Sequence, residues 1–281
     1  MPKKYIPTQE ELREIISLYN SGISLTKMSK QLHRSKETLS KILKENNIHI
    51  RMTNETSRKY CVDETYFEKI NTSEKAYWLG FLYADGFIES KRESGSQKFG
   101  ITLSQIDRGH LEKFKQCLNA TYEIKDYKGS GYNKDGWMSR LLITSQKMVD
   151  DLKALGCVEN KTKILKFPTE KQVPKDFQFD FIRGYIDGDG TIYYSNGAYR
   201  FGCLGTYDMI LHIKEILQLD TEILQEHPER CTDIYTISGA ALKYFKSLYN
   251  MYDKAAIYLD RKYELYQKIK EKYVERQGIY G

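Results

Sequence analysis

Two segments of the chain share one pattern of hydrophobic and polar positions. WLGFLYADG (78–86) and IRGYIDGDG (182–190) each consist mostly of apolar residues and end on Asp-Gly. A helix that is apolar on every side must be buried on every side. Small residues four positions apart let two helix backbones approach closely, and both segments contain such a pair: Gly80 with Ala84, and Gly184 with Gly188. The pattern predicts two buried helices that pack side by side.

This packing would bring two carboxylates together. Asp85 and Asp189 would lie at the helix C-termini, where a negative charge opposes the helix macrodipole, and the two charges would repel each other. Divalent cations would relieve both costs, because Mg²⁺ is commonly held by one or two carboxylates together with substrate phosphates. Two metal ions a few ångström apart are a recurrent means of cleaving phosphodiesters. A single Asp-Gly would indicate only a helix stop before a turn, but two copies favour a paired site.

The pattern that follows each motif also repeats. Two strand-like segments, an amphipathic helix, two more strand-like segments and a second helix come after both copies, with a turn predicted at Asn196-Gly197. These segments are 86–90, 98–104, 110–118, 121–127, 137–145 and 146–156, then 190–195, 199–205, 209–217, 221–227, 232–238 and 241–249. The repeat predicts an α+β fold of two αββαββα halves, 71–165 and 166–281.

Motif, spacing and downstream pattern together resemble the LAGLIDADG homing endonuclease family in its single-chain form with two motifs. The resemblance implies two pseudo-symmetric halves whose antiparallel, saddle-shaped sheets lie in the DNA major groove. It also implies a monomer that makes a double-strand break in a long, specific DNA site, with two or more Mg²⁺ ions and with Mn²⁺ as a substitute. Asp85 and Asp189 would be the catalytic, metal-binding acids, and the backbone carbonyls of Ala84 and Gly188 would be further metal ligands.

Three more residues match family positions around the attacking water: Gln105, Lys161 and Lys254. The lysines would orient the water and neutralise developing charge, although both could equally be ordinary surface lysines. Thr206 stands where Gln105 would recur in the second half, and this difference suggests unequal nicking of the two strands.

The second motif departs from the first at two positions. Asp187 stands where the first copy has Tyr83, two residues before the acid, and Arg183 interrupts the apolar run. Neither change affects the final Asp-Gly, so both active-site carboxylates are retained.

The N-terminal part predicts three short helices within residues 8–46. Thr8 with Glu11 forms a capping-box pattern, and Ser24 and Ser35 would cap the second and third helices. Residues 1–60 contain 12 lysine and arginine residues against 6 acidic ones, which accounts for the whole net charge of +6. This excess indicates an anionic partner for the segment.

The segment GISLTKMSKQLHRSKETLSKILKE (22–45) resembles the helix-turn-helix of resolvase and invertase recombinases, whose last helix enters the major groove. We expect a DNA-binding domain over 1–52 and a linker over 53–70; a plain three-helix bundle with a solvated basic face is the alternative. The expected base contacts are Ser35, Lys36, Glu37, Ser40 and Lys41, and the expected phosphate contacts are Arg34 and Lys44. Arg51 and Arg58 would either follow the phosphates or belong to an ordinary linker.

Strand side chains would provide the remaining DNA contacts. A slip of one residue in register would move the whole set to the other face of a sheet. The candidates are Glu89, Lys91, Arg92, Gln97, Lys98, Lys125, Tyr127, Lys134, Arg140, Tyr193, Tyr194, Asn196, Tyr199, Arg200, Glu226 and His227.

Composition excludes other classes of protein. The five cysteines are scattered with no CxxC spacing, which predicts reduced thiols and neither a disulfide framework nor a zinc site. The apolar run 76–84 is shorter than the roughly 20 residues that span a bilayer, and the N-terminus lacks an apolar signal region. We therefore expect no membrane association and a cytoplasmic location, with the protein bound to the nucleoid.

Two alternative functions remain on the same fold. A non-catalytic DNA-binding regulator would resemble the LAGLIDADG-containing sporulation transcription factors, which lack the acids. An intron maturase would bind RNA, and the DNA-type helix-turn-helix weighs against it. An intein is disfavoured because no splicing Cys or Ser start and no His-Asn end is present.

Overall fold

The computed structural model describes residues 5, 7–21, 23–46, 48, 50, 60–90, 95–130, 135–230 and 233–277. The chain divides into two compact units, Met1–Tyr60 and Cys61–Gly281. The candidate DNA contacts Arg51, Arg58, Lys91, Arg92 and Lys134 lie outside the described residues.

The first unit contains the three predicted helices: α1 (Gln9–Asn20), α2 (Leu25–Gln31) and α3 (Lys36–Glu45). Thr8 Oγ1 accepts from the Glu11 amide at 3.2 Å, and Glu11 Oε2 accepts from the Thr8 amide at 2.7 Å. Ser24 and Ser35 cap the other two helices through their hydroxyl oxygens. The predicted caps are thus confirmed, and the helices enclose a small core of Ile15, Tyr19, Met28, Leu39, Ile42 and Leu43.

The second unit contains the predicted αββαββα pattern twice. The first half has α4 (Ser73–Ala84), β1 (Gly86–Ile88), β2 (Lys98–Ser104), α5 (Arg108–Cys117), β3 (Ile124–Lys128), β4 (Trp137–Thr144) and α6 (Gln146–Ala154). The second half has α7 (Gln178–Asp189), β5 (Gly190–Ser195), β6 (Ala198–Gly205), α8 (Tyr207–Ile216), β7 (Leu224–Gln225), β8 (Tyr235–Ala240) and α9 (Phe245–Tyr252). The strands form two antiparallel sheets in the orders β1-β2-β4-β3 and β5-β6-β8-β7. The predicted fold class is confirmed.

Two features of the second unit differ from the expectation. Residues 61–70, assigned to the linker, belong to this unit because Tyr66, Phe67 and Ile70 are buried. The Asp63 amide also donates to the Leu118 carbonyl at 2.9 Å. In addition, an 18-residue helix, α10 (Asp260–Gln277), follows α9 and was not predicted.

The two halves meet where α4 packs against α7. A Cβ added at Gly80 would overlap the carbonyl oxygen of Phe181, and a Cβ added at Gly184 would overlap that of Tyr77. The backbones therefore touch with no side chain between them, as the spacing of small residues predicts. We call this contact the glycine seam.

The hairpin between β5 and β6 has the tight turn predicted at Asn196-Gly197. Both residues have positive φ, 49° and 76°, which is the backbone geometry of a type I′ turn. Ser195 pairs with Ala198 across it, so the turn sets the register of the second sheet. Within the described part of the chain, no helix is both long and apolar enough to cross a membrane.

Substitution at the glycine seam tests how closely the halves approach. We expect Gly80→Ala to lower the free energy of unfolding by about 2–3 kcal/mol, because the overlapping atom is helix backbone and cannot move aside alone. Gly109→Ala in α5 is the matched control, since no atom of the described residues lies within 4 Å of its added Cβ. An alanine there should stabilise the helix by about 0.5–1 kcal/mol. Urea unfolding measures both variants, and equal effects would contradict the seam.

Candidate active site

The ends of α4 and α7 bring the two motif carboxylates to one place. Asp85 caps α4, with its amide donating to the Phe81 carbonyl at 2.9 Å, and Asp189 is the last residue of α7. Across the seam, a Cβ at Gly188 would overlap the Ala84 side chain and lie 3.4 Å from Asp85 Oδ2. The acids are therefore positioned by backbone packing between the helices that carry them.

Burial makes this arrangement electrostatically costly. It raises the pKa of Asp189 to about 6, and the neighbouring charge of Asp85 adds to the rise. Burial also raises the pKa of Asp85, against the opposing effect of the cations Lys262, Lys161 and Arg261. Two partly desolvated carboxylates at adjoining helix ends thus form a site that attracts positive charge.

A lysine side chain donates hydrogen bonds to the carbonyls at the C-terminal end of each motif helix. Lys161 Nζ donates to the carbonyl oxygen of Ala84 at 3.1 Å and to that of Gly86. The last carbonyls of a helix lack intrahelical donors, so a cation at this position satisfies them and complements the macrodipole. The family resemblance pointed to Lys161, and the structure places it beside Asp85.

In the second half the corresponding lysine is Lys262, not Lys254. Lys262 is 1% exposed, and its Nζ donates to the carbonyls of Ile186 (2.6 Å), Asp187 (2.7 Å) and Gly190 (2.6 Å), with the Gly188 carbonyl farther away at 3.4 Å. Burial lowers the pKa of its ammonium to about 8, although the Asp187 charge opposes that change. Lys254 is an exposed residue with a φ of 61°. Position in the repeat pointed to Lys254 because Lys262 lies in the unpredicted helix α10.

A cleft of about 530 Å³ opens beside these groups. Its lining includes Asp85, Gly188, Ser104, Asp107 and Arg261. Arg261 Nε donates to both carboxylate oxygens of Asp107, at 3.2 and 3.0 Å, and so links α10 to the turn after β2. Sequence reasoning missed Ser104, Asp107 and Arg261, although the strand exit Leu103–Asp107 resembles its counterpart Leu204–Asp208 in the second half.

The two positions at the strand exits differ as the sequence suggests. Gln105 is exposed in the turn after β2, next to the cleft residues Ser104 and Asp107. Thr206 is buried, donates to the Leu165 carbonyl at 2.6 Å and caps α8 through the Met209 amide. Thr206 therefore has a structural role, whereas Gln105 is open to solvent.

Several candidate DNA contacts lie on one face of the first sheet. Register pairs Lys125 with Arg140 and Arg140 with Thr102, so these side chains form a row on the face opposite Leu141 and Ile101. Arg140 donates to Thr102 at 2.9 Å and lies 5.2 Å from the ring of Tyr127. Lys98 has the same strand parity as Thr102 and is half-buried.

Two candidates are corrected by their placement. Gln97 is 4% exposed, and its amide nitrogen donates to the Glu89 carbonyl and the Glu159 carboxylate, so its polar groups are used internally. Tyr194 pairs with Tyr199, whereas Tyr193 pairs with Arg200 on the opposite face of the second sheet. Tyr193 therefore lies on the same face of the sheet as Arg200, and Tyr194 lies on the other face.

Most of the other candidates on β5, β6 and α3 are accessible, whereas Tyr199 is half-buried and shares the face of Tyr194. Arg200 and the turn residue Asn196 are exposed, as are Ser35, Lys36, Glu37, Lys41 and Lys44 in the first unit. Ser40 is half-buried, and Arg34 lies over the ring of Tyr5 at 4.2 Å.

The donor set suits a hard cation that needs few protein ligands. Asp85 and Asp189 provide carboxylates, and the carbonyls of Ala84 and Gly188 each keep a second lone pair besides the one facing a lysine. Among the described residues, no group of three or more His, Cys, Asp and Glu side chains could hold a metal ion. Mg²⁺ fits such a sparse oxygen set when substrate phosphates complete it, so the residues are compatible with the implied ion.

A family model described as a LAGLIDADG-like domain matches residues 72–155. It covers α4 to α6, including the motif that ends on Asp85. The second half of the chain lies outside the matched residues and repeats the same order of elements.

Solved structures also resemble the chain at low identity. The LAGLIDADG meganuclease I-AabMI bound to uncleaved DNA is 13% identical, with a TM-score of 0.46 over 72% of this chain and 91% of that one. The homing endonuclease I-LtrWI bound to target DNA is 12% identical, with a TM-score of 0.47 over 77% and 92%. I-SmaMI bound to uncleaved DNA with calcium ions is 12% identical, with a TM-score of 0.47 over 72% and 91%. No curated protein is significantly similar to this sequence.

The raised pKa of Asp189 predicts a pH-dependent cost in stability. Because the folded-state pKa is about 6 against 3.8, the folded state binds the proton more tightly, and stability falls as pH rises through this window. In metal-free buffer we expect Asp189→Asn to raise the free energy of unfolding at pH 8 by about 2–3 kcal/mol, at about 1.4 kcal/mol for each pKa unit.

Denaturant unfolding at several pH values measures this effect. The gain should vanish below about pH 3, where the aspartate is protonated in both states. Asp233→Asn, at an exposed loop residue, is the control and should show no such trend. A gain for Asp189→Asn that is independent of pH would contradict the electrostatic explanation.

Proposed function

We propose that this chain is a site-specific endonuclease that breaks both strands of DNA by divalent-metal-dependent phosphodiester hydrolysis. The observation that carries the proposal is the pair of half-buried carboxylates, Asp85 and Asp189, at adjoining helix ends, where a lysine donates to the last carbonyls of each helix. A purely structural seam would gain stability by replacing these carboxylates with neutral groups, so their presence supports a catalytic use.

Asp85, Asp189 and the carbonyls of Ala84 and Gly188 would hold the metal ions. When bound, divalent ions supply Lewis-acid polarisation of a phosphate and activation of a water molecule. The two carboxylates provide the negative charge that retains the ions. Their placement on different halves supports one centre for each DNA strand.

The two lysines would act on developing negative charge. Lys161 and Lys262 each bring an ammonium group to the end of one motif helix, next to the carboxylates. Positive groups fixed in place before the reaction stabilise charge without reorganising during it. We assign Lys161 to one scissile phosphate and Lys262 to the other.

The open faces of the two sheets would bind the DNA. Lys98, Lys125 and Arg140 on the first sheet and Arg200 on the second offer cationic groups to a polyanion, and Tyr193 accompanies Arg200. Both halves of the paired site are present in one chain, so a monomer would suffice. The two sheets together support a long target site.

The first unit would add a separate DNA contact. Lys36, Lys41 and Lys44 are exposed along α3, and the Ser35 cap begins the helix at the end expected to meet the bases. A basic helix in this position supports the predicted helix-turn-helix, with Arg34 near the phosphates.

Cleavage of a DNA library tests the proposed enzymatic function. We expect the wild-type chain with Mg²⁺ or Mn²⁺ to produce discrete cut ends at one sequence, detected by sequencing. Asp85→Asn should abolish cutting, a loss of at least about 10³-fold if the acid holds a metal ion, while specific DNA binding persists. Specific binding by the wild type without cleavage would favour a DNA-binding regulator, and preferential RNA binding would favour a maturase. Unchanged cutting by Asp85→Asn would contradict the role of that acid.

The salt dependence of DNA binding tests the role of α3. For the double variant Arg34→Ala and Lys44→Ala, we expect the slope of log K against log salt to fall by about 1–2, roughly one unit for each phosphate that the protein no longer neutralises. Arg13→Ala in α1 removes an exposed positive charge from the same unit and is the control. Equal slopes for wild type and the double variant would mean that Arg34 and Lys44 do not contact phosphate.

A further inference from the structure

The two lysines of the site are carried by segments outside the motif helices. Lys161 lies in the loop after α6, and Lys262 lies in the first turn of α10, after the loop that follows α9. Each lysine can reach its helix end only if its segment is held there. The contacts that hold these segments are therefore part of the site's construction.

In the second half, Asp187 holds both ends of the loop 253–259. Its Oδ1 accepts from the Tyr252 hydroxyl at 2.6 Å, at the end of α9. Its Oδ2 accepts from the Leu259 amide at 2.8 Å, and from the Tyr77 hydroxyl of the first half at 2.8 Å. Asp187 is 1% exposed, so these three donors replace the water that would otherwise solvate it.

The contacts lead directly from Asp187 to the lysine. The Leu259 carbonyl accepts a hydrogen bond from the Lys262 amide at 3.0 Å. The Nζ of Lys262 in turn donates to the Asp187 carbonyl at 2.7 Å. Leu259 is thus bound to Asp187 through its amide and to Lys262 through its carbonyl. The carboxylate fixes the first turn of α10 against α7.

Arg183 holds the same loop from one helical turn earlier. Its Nη1 donates to the Met251 carbonyl at 2.7 Å, and its Nε donates to the Ile257 carbonyl at 3.0 Å. Asp187 and Arg183 therefore both form hydrogen bonds to the segment that carries Lys262. They are the two residues at which the second motif departs from an apolar pattern.

In the first half, the same motif position makes the corresponding contact. Tyr83, which occupies the position of Asp187, donates its hydroxyl to the Leu155 carbonyl at 2.5 Å. Leu155 begins the segment that leads to Lys161. A Cβ at Gly156 would overlap the Tyr83 hydroxyl, so the backbone of this segment lies directly against the tyrosine.

We propose that the residue two positions before each acid is a positioning residue that holds the lysine of its own half at the motif helix end. Tyr83 positions Lys161 through Leu155, and Asp187 positions Lys262 through Leu259. The two anchors differ in strength, because Asp187 accepts three hydrogen bonds as a charged group and Tyr83 donates one as a neutral group. The catalytic consequence rests on the proposed function, whereas the positioning itself does not.

Hydrogen exchange of the full chain, without metal or DNA, tests the positioning. Local opening of the structure sets the rate of amide hydrogen exchange. Removing a hydrogen bond to a charged acceptor corresponds to about a tenfold increase in that rate. We expect Asp187→Asn to accelerate exchange in 253–262 about tenfold and to leave 155–161 unchanged. Tyr83→Phe should accelerate 155–161 about threefold, as for a neutral hydrogen bond, and leave 253–262 unchanged.

Tyr185→Phe is the matched control on the same helix as Asp187. Its hydroxyl donates to the Leu204 carbonyl at 2.9 Å, in β6, so its removal should affect neither lysine segment. If Asp187→Asn does not fold, Tyr252→Phe removes one donor and keeps the carboxylate, and should accelerate 253–262 about threefold. Unchanged exchange in both segments, or uniform acceleration over the whole chain, would overturn the proposal.

Cleavage of each strand of the target tests the catalytic consequence. We expect Asp187→Asn to slow one strand about tenfold more than the other at saturating DNA, and Tyr83→Phe to slow the opposite strand. Equal slowing of both strands would overturn the link between anchor and strand. A wild-type chain that cleaves no DNA would contradict the proposed function, and hydrogen exchange would still decide the positioning.

Discussion

The close approach of α4 and α7 at the glycine seam is the constraint on which the rest of the second unit depends. Because Gly80 and Gly184 present no side chains, the backbone of one helix rests on the carbonyls of the other. The relative position of the helices is then set by backbone atoms, which have few alternative conformations. The same packing fixes the positions of Asp85 and Asp189. The contacts that join the two halves therefore also build the candidate active site.

The seam and the candidate active site remove charged groups from water. Hydrogen bonds from distant parts of the chain offset this desolvation cost. Lys161 and Lys262 come from loops and helices that follow the sheets, and they satisfy carbonyls that helix termini leave unpaired. Asp187 and Arg183 in turn form hydrogen bonds to backbone groups of the loop that precedes Lys262. Each of these polar groups at the seam has partners there, which is the condition for keeping it in a buried position.

The features that sequence predicts well here are those with local causes. Helix caps at Thr8, Ser24 and Ser35 depend on a few neighbouring residues, and the turn at Asn196-Gly197 depends on positive φ at two positions. The small residues of the seam were predictable because their spacing repeats in both motifs. The doubled order of elements followed from the same repetition.

The features that sequence missed depend on long-range packing. Helix α10 buries Lys262, Tyr266 and Ile269 at helical spacing, and its apolar stripe is broken by the lysine that serves the site. A search by position in the repeat therefore reached Lys254, in the loop before it. The sequence does not distinguish Tyr193 from Tyr194 because strand register is unknown, and Gln97 looks accessible because its partners Glu89 and Glu159 are remote in sequence.

The polar residues of the second motif also bear on how the two halves recognise each other. Glycine seams alone would let a half pair with a second copy of itself, because each half presents a glycine to the other. Asp187, however, takes one of its donors from Tyr77 of the first half. Two second halves placed together would lack that donor and would leave each buried Asp187 carboxylate with two donors instead of three. The asymmetric hydrogen bond thus favours pairing within one chain over exchange of halves between chains.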